Sequence, residues 1–296
     1  MRPTWHDLEL WHVDLHIHAG TERPEQYAAI DFIRYAVATG RRIIGITDHF
    51  GRFLGRSRKK LNHYPGTLDG YRSFAQDVAR TREAFRDQLI LFGPEIGLGS
   101  LSCPDEAAQA LSVPEVDFFI GEAGGPPEGQ SLGEYLVRGV REIDRARKEW
   151  GRPGFLGHPL RWPINQIVGK TGPGPGMPSH EPFPPLGSLD DPKGHVEHLL
   201  GIDIDALSSE MVRRDVPVEI NEGDWDRILA MNHRSFAERY LFFYRALIQA
   251  GTGVVLSSDM HNVERGRPTA FVVAEMLGVR PTDMGFLRYW LGEARL

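Results

Sequence analysis

Seven short apolar runs, each separated from the next by a stretch with helical spacing, restrict this 296-residue chain to few architectures. The runs fall at 13–18, 42–47, 89–95, 116–121, 154–159, 216–221 and 253–261. Helical patterns lie between or after them at 24–39, 68–86, 132–150, 195–214, 235–249, 268–277 and 281–293. Strands alternating with helices make a parallel sheet covered by its own crossovers. The predicted fold is α/β: a distorted (β/α)7 TIM-like barrel spanning 1–296 as one domain, with a metal site at the strand C-termini, where the chemistry of such barrels sits. No G-x-G-x-x-G turn opens a helix and no P-loop occurs, so dinucleotide and Walker-type sites lack support.

The ends of these runs share one chemistry. In Val13-Asp14-Leu15-His16-Ile17-His18, period-two alternation puts Asp14, His16 and His18 on one strand face and the aliphatic residues on the other. Two imidazoles so spaced can bind one divalent ion, and a carboxylate beside them can orient a ring. The pattern recurs as Asp48-His49, Glu95, His158 and Asp259-Met260-His261, so that five of the seven runs end in His, Asp or Glu. That recurrence, more than any single pair, predicts a metal centre. Asp14 and Asp48 are read as groups that orient imidazoles.

Composition narrows the function classes. A net charge of −6 and a pI near 6.1 argue against a protein built to coat nucleic acid. Cys103 is the only cysteine, which excludes an internal disulfide and a cysteine-based zinc site. The first residues lack an apolar signal-type core and no later run is apolar enough to span a bilayer, so the expectation is a cytoplasmic enzyme without membrane partners.

With all strand ends in view, the chain resembles the PHP (polymerase and histidinol phosphatase) family of metal-dependent phosphoesterases. The resemblance rests on Asp14-Leu15-His16-Ile17-His18, Thr47-Asp48-His49, Pro94-Glu95, Gly157-His158-Pro159 and Ser258-Asp259-Met260-His261, in family order over nearly the whole chain. Residues 71–85 leading into Gly93-Pro94-Glu95-Ile96-Gly97, together with Glu219-Ile220-Asn221, resemble its histidinol-phosphatase-like branch. The resemblance implies that His16, His18, Glu95 and Asp259 hold one ion, that Glu95 bridges to a second bound by His158, and that His49 and His261 serve a third. One to three Zn, Mn or Fe ions suit this His/carboxylate donor set.

Two departures from the family pattern stand out. No histidine follows His18 in Ala19-Gly20-Thr21-Glu22-Arg23-Pro24, and none follows the fourth run, which reads Ile120-Gly121-Glu122-Ala123-Gly124. Glu122 is the expected substitute ligand at one site, and Glu22 or Glu25 at the other. The predicted activity is hydrolysis of a small phosphorylated metabolite by water activated at the metals, with Asp259, His261 or His158 moving protons. Arg161, Arg265, Arg267, Asn221 and His63 are the candidate substrate contacts. A metal hydrolase of C–N or C–O bonds is the first alternative, and a nuclease or polymerase-accessory domain the second.

Two segments remain open between functional and plain readings. Arg52, Arg56, Arg58, Lys59 and Lys60 form either an anion clamp or a solvated face. The Pro/Gly-rich stretch at about 160–194, in a region holding nine of the chain's 21 prolines from Pro159 to Pro192, is either a lid over the site or an interface arm.

Overall fold

The computed structural model describes residues 3–19, 28–55, 64–168, 201–231, 234–261 and 270–292. Its strands are β1 (Val13–His18), β2 (Ile43–Thr47), β3 (Leu89–Phe92), β4 (Glu95–Gly97), β5 (Phe119–Glu122), β6 (Gly154–Gly157), β7 (Val218–Asn221) and β8 (Val254–Ser257), all paired in parallel. β1-β2-β3 and β4-β5-β6-β7-β8 form two sheets. Two parallel bridges, Ile17 with Met260 and His49 with Glu95, join them edge to edge, and His18 N–H donates to the Met260 carbonyl at 2.9 Å. Apolar residues of β1, β2 and β5 to β8 are buried whichever face they occupy, which is why these strands read as apolar runs and not as alternating ones.

β3 and β4 are two halves of the third predicted run. Pro94 has no N–H to give a ladder, and the strand breaks at Gly93-Pro94. The first half pairs with β2 and the second with β5, so seven strand positions close the ring as a distorted barrel. The break needs a glycine, because a Cβ on Gly93 would stand 2.8 Å from the Phe118 ring.

A second irregularity lies in β1. Asp14 pairs with Ile44 and Ile17 with Ile46, so Leu15 and His16 together oppose Gly45 as a bulge. A Cβ on Gly45 would sit 2.6 Å from the Leu15 carbonyl oxygen, and glycine alone admits this approach. The bulge corrects the strict alternation expected of Asp14, His16 and His18.

The helices that matter for the site are α1 (Ala29–Ala38), α2 (Phe50–Phe53), α3 (Leu68–Thr81), α4 (Leu98–Leu101), α5 (Pro104–Leu111), α6 (Leu132–Trp150), α7 (Arg161–Val168), α8 (Ile204–Arg214), α9 (Glu222–Met231), α10 (Arg234–Gln249) and α11 (Ala270–Met276). α6 matches its prediction because both ends are signalled. Ser131 and Glu134 form a capping box, and Gly151 ends the helix at φ 64°. Elsewhere boundaries move: α3 ends at Thr81 instead of 86, and α2 lies within what reads as loop. The helix expected at 281–293 is instead two 3-10 turns and the single turn Arg288–Leu291. α4 and α5 carry too few residues for periodicity to reveal them. Among the described residues, no helix is long and apolar enough to cross a membrane.

Candidate metal centre

The strand C-termini bring together every expected ligand that the structure describes. His16, His18, Glu95, His158 and Asp259 form a buried floor. His49, Glu122 and His261 form a half-buried rim, their side chains 27%, 33% and 25% exposed. Ligand atoms within 4.8 Å of one another define four groups among the described residues: His16/His18/Glu95, His18/His49/His261, His49/Glu95/Glu122 and His16/His158/Glu219. Glu122 stands 3.8 Å from His49 Nδ1.

Glu95 is the hub. Its Oε1 accepts from His158 Nε2 at 2.7 Å, and its Oε2 stands 2.6 Å from His49 Nδ1 and 3.4 Å from His18 Nε2. Burial favours the protonated acid, but the charges of His49 and His16 prevail and hold Glu95 well below the usual carboxylate range. Burial likewise opposes charge on His16, yet Glu219, Glu95 and Asp259 raise it well above an ordinary imidazole. His49 is raised in the same way by Glu95 and Glu122 against its burial. Asp259 is held far down, its burial outweighed by Arg161 first and then by His261 and His16.

These are the electrostatics of a carboxylate cluster that demands cations, with imidazolium protons serving where nothing else does. One contact tests the fit of a metal directly. His16 Nδ1 donates to Glu219 Oε1 at 2.7 Å, which puts the neutral ring's lone pair on Nε2, and that atom faces His18 Nε2 at 2.9 Å. Two imidazole nitrogens so placed need a proton or a cation between them. The mixed N/O donor set suits a divalent transition ion, so the residues fit the group.

Backbone geometry is strained at the same place. Of the three non-glycine residues with positive φ among the described residues, two are His158 at 26° and Asp259 at 52°. Asp14 does not meet the imidazoles: its Oδ1 accepts from Ser258 N–H at 2.9 Å and from His16 N–H at 3.4 Å, pinning β1 to the segment after β8. Asp48 does face a ring, 3.8 Å from His18 Nδ1, while accepting from His49 N–H at 2.7 Å.

Glu219 is the orienting residue that strand-end logic missed, because it sits inside β7 and not at its tip. One oxygen accepts from His16 and from the Ser257 hydroxyl, and the other accepts from His158 N–H at 2.6 Å. Both oxygens are spent on orientation, which makes Glu219 a support for two ligands although it lies within ligand distance of them.

Two candidate substrate contacts need correction. Arg161 is neither a surface side chain nor an open fork: it pairs with Asp224 and with Asp259 Oδ2 at 2.6 Å. Asn221 is fully buried, and its Oδ1 accepts from Arg161 and from Asp224 N–H, each at 3.1 Å, so it faces the chain. His63, Arg265, Arg267, Glu22, Glu25 and the basic residues 56–60 lie outside the described residues, as does the Pro/Gly-rich segment from 169 to 200. Arg52 is described, buried beside Asp48 at 3.7 Å.

No protein-family model matches the chain, and no curated protein matches it. Among solved structures it is similar to an adenine deaminase from Arthrobacter aurescens, with 13% identity, a TM-score of 0.44 and coverage of 89% of this chain and 73% of that one. It is also similar to an amidohydrolase with bound Zn from Burkholderia ambifaria, with 13% identity, a TM-score of 0.38 and coverage of 88% and 61%. This chain therefore spans less than two thirds of that amidohydrolase, and no residue role is transferred from either structure.

Proposed function

We propose that this chain is a metal-dependent hydrolase acting on a small molecule, with His16, His18, Glu95, His158 and Asp259 as the inner ligands and His49, His261 and Glu122 as the outer ones. The observation that carries this reading is Glu95, a buried carboxylate shared between two overlapping ligand groups. A bound divalent ion supplies Lewis acidity and a water acidic enough to react near neutral pH. The chain's own residues do the rest. Glu219 and Asp48 orient imidazoles, and the buried floor keeps bulk water away. His261 Nδ1 donates to the Asp259 carbonyl at 2.8 Å, which fixes its tautomer and leaves Nε2 as the atom that ligates or carries a proton at the rim.

The scissile bond we favour is C–N or C–O. A phosphoryl dianion calls for guanidinium forks, and among the described residues Arg52, buried, and Arg161, partly buried, are both paired with carboxylates. Phosphoester hydrolysis is the second reading, favoured by ligand groups sufficient for more than one ion, which clamp attacking and leaving oxygens alike. The PHP resemblance and a single-domain barrel with a Pro/Gly-rich lid belong to this proposal.

The test is metal analysis of the purified chain, followed by a panel of amides, lactones and phosphate esters with the metal-loaded protein and its Glu95→Gln variant. Turnover of an amide or lactone that disappears in the variant supports the first reading. Turnover confined to phosphate esters moves the assignment to the second, and absence of bound metal overturns both.

A further inference from the structure

Asp224 is a fully buried carboxylate that the proposed chemistry does not use. Burying an ionised carboxylate is costly unless it is paired and hydrogen-bonded. Its Oδ1 accepts from Arg161 Nε, and its own N–H donates to Asn221 Oδ1. From the same edge of the guanidinium, Nη2 donates to Asn221 Oδ1 at 3.1 Å and to Asp259 Oδ2 at 2.6 Å. The chain closes tightly over this junction at Gly223. A Cβ there would stand 3.0 Å from Asn221 Oδ1, 3.1 Å from Asp259 Oδ2 and 3.4 Å from Arg161 Nη2.

The consequence falls on Asp259. With Oδ2 taken by the guanidinium, Oδ1 is the oxygen turned to the imidazoles, 3.2 Å from His18 Nε2, 3.6 Å from His261 Nδ1 and 3.7 Å from His16 Nε2. We propose that Asp224 and Arg161 are positioning residues that fix Asp259 so that it offers the metal centre the single oxygen Oδ1, and that this guanidinium serves the bracket and not the substrate. The inference rests on the metal-hydrolase reading. Lysine cannot replace the arginine here, because one ammonium cannot reach along a planar edge to two carboxylates and an amide at once.

The experiment uses the full chain, stripped of metal and titrated with Co2+ alone against a chromogenic chelator, with the visible Co2+ spectrum recorded at saturation. Arg161→Lys is expected to weaken Co2+ binding about 10- to 100-fold and to change the spectrum, and Asp224→Asn to do the same to a lesser degree. A merely structural pair would lower the thermal midpoint and leave the affinity and spectrum of the folded protein at wild-type values, and that result overturns the proposal. Should Arg161→Lys not fold, the double variant Arg161→Met/Asp224→Asn removes both buried charges together and is read by the same two measurements. A wild-type chain that binds no Co2+ overturns the functional reading and this inference with it. Binding by the wild type that the variants retain unchanged overturns this inference alone.

Discussion

Two regions of the molecule bury acids against bases, and they do it differently. On the outer layer, where α6 packs on α8, Asp144 is held by Arg147, Lys148 and Arg214, and Glu210 by Arg141, Arg213 and Arg214. Every cation there is permanent. At the strand C-termini, Glu95 and Asp259 face mostly imidazoles, whose charge depends on a proton. The α6–α8 seam is complete as folded. The centre is balanced only if its histidines stay protonated or divalent cations take the protons' place, which is the physical case for metal there.

The largest effect should come from breaking the hub. Glu95→Gln is expected to reduce hydrolysis to background and to remove at least one ion per chain, measured by metal analysis, while a seam variant such as Asp144→Ala leaves both unchanged. Next, metal should stabilise the folded wild type, by about 2.7 kcal/mol at a free-ion concentration 100 times Kd, and this gain should vanish in Glu95→Gln when thermal unfolding is compared with and without chelator. Because imidazoles must be neutral to bind, uptake should release protons and weaken on acidification, which calorimetry in buffers of different ionisation heat will show.

Breaking the seam should cost stability alone. Asp144→Ala removes charged hydrogen bonds to three cations and is expected to cost about 1–3 kcal/mol in urea unfolding, with metal content intact. The seam also has its own pH signature. Burial raises Glu210, but Arg213, Arg141 and Arg214 overcome it and hold the carboxyl down at about 2. A carboxylate held below its ordinary 4.5 adds stability that is fully present above that pH and is withdrawn as pH falls toward 2. The stability difference between wild type and Glu210→Gln should therefore shrink as pH falls from about 4.5 to about 2. The smallest effect belongs to an exposed pair, Arg72 with Asp69 at 2.9 Å, where Arg72→Ala should change stability by no more than about 0.5 kcal/mol.

The ring of strands and most of the His and carboxylate residues gathered at its tips were legible because they are properties of short sequence windows: apolar runs mark buried parallel strands, and polar residues ending such a run have nowhere to go but the strand tip. What escaped depends on residues distant in sequence. The bulge in β1 is admitted by Gly45, about thirty residues on, and the glycine at the break after Phe92 is required by a ring at Phe118. Arg161 reads as a candidate substrate contact until Asp224 and Asp259 are brought to it, and Glu219 has no orienting role until His16 and His158 arrive. Window-based reasoning finds side chains at strand tips; it does not find what holds them.

The clasp between Asp14 and Ser258 ties residues 244 apart, and it lies beside His16 and Asp259. A chain emerging N-terminus first therefore carries His16 and His18 long before Asp259 and His261 exist. Until β8 docks beside β1, His16 and His18 lack Asp259 and His261, and an ion captured early would be held by two imidazoles and whatever solvent or stray side chain is near. Under the proposed metal reading, ion capture belongs to the last stage of folding, after the ring has closed, and a bound ion would act as a lock on that closure: its release rate, more than the packing of any one strand, would set how fast the barrel reopens.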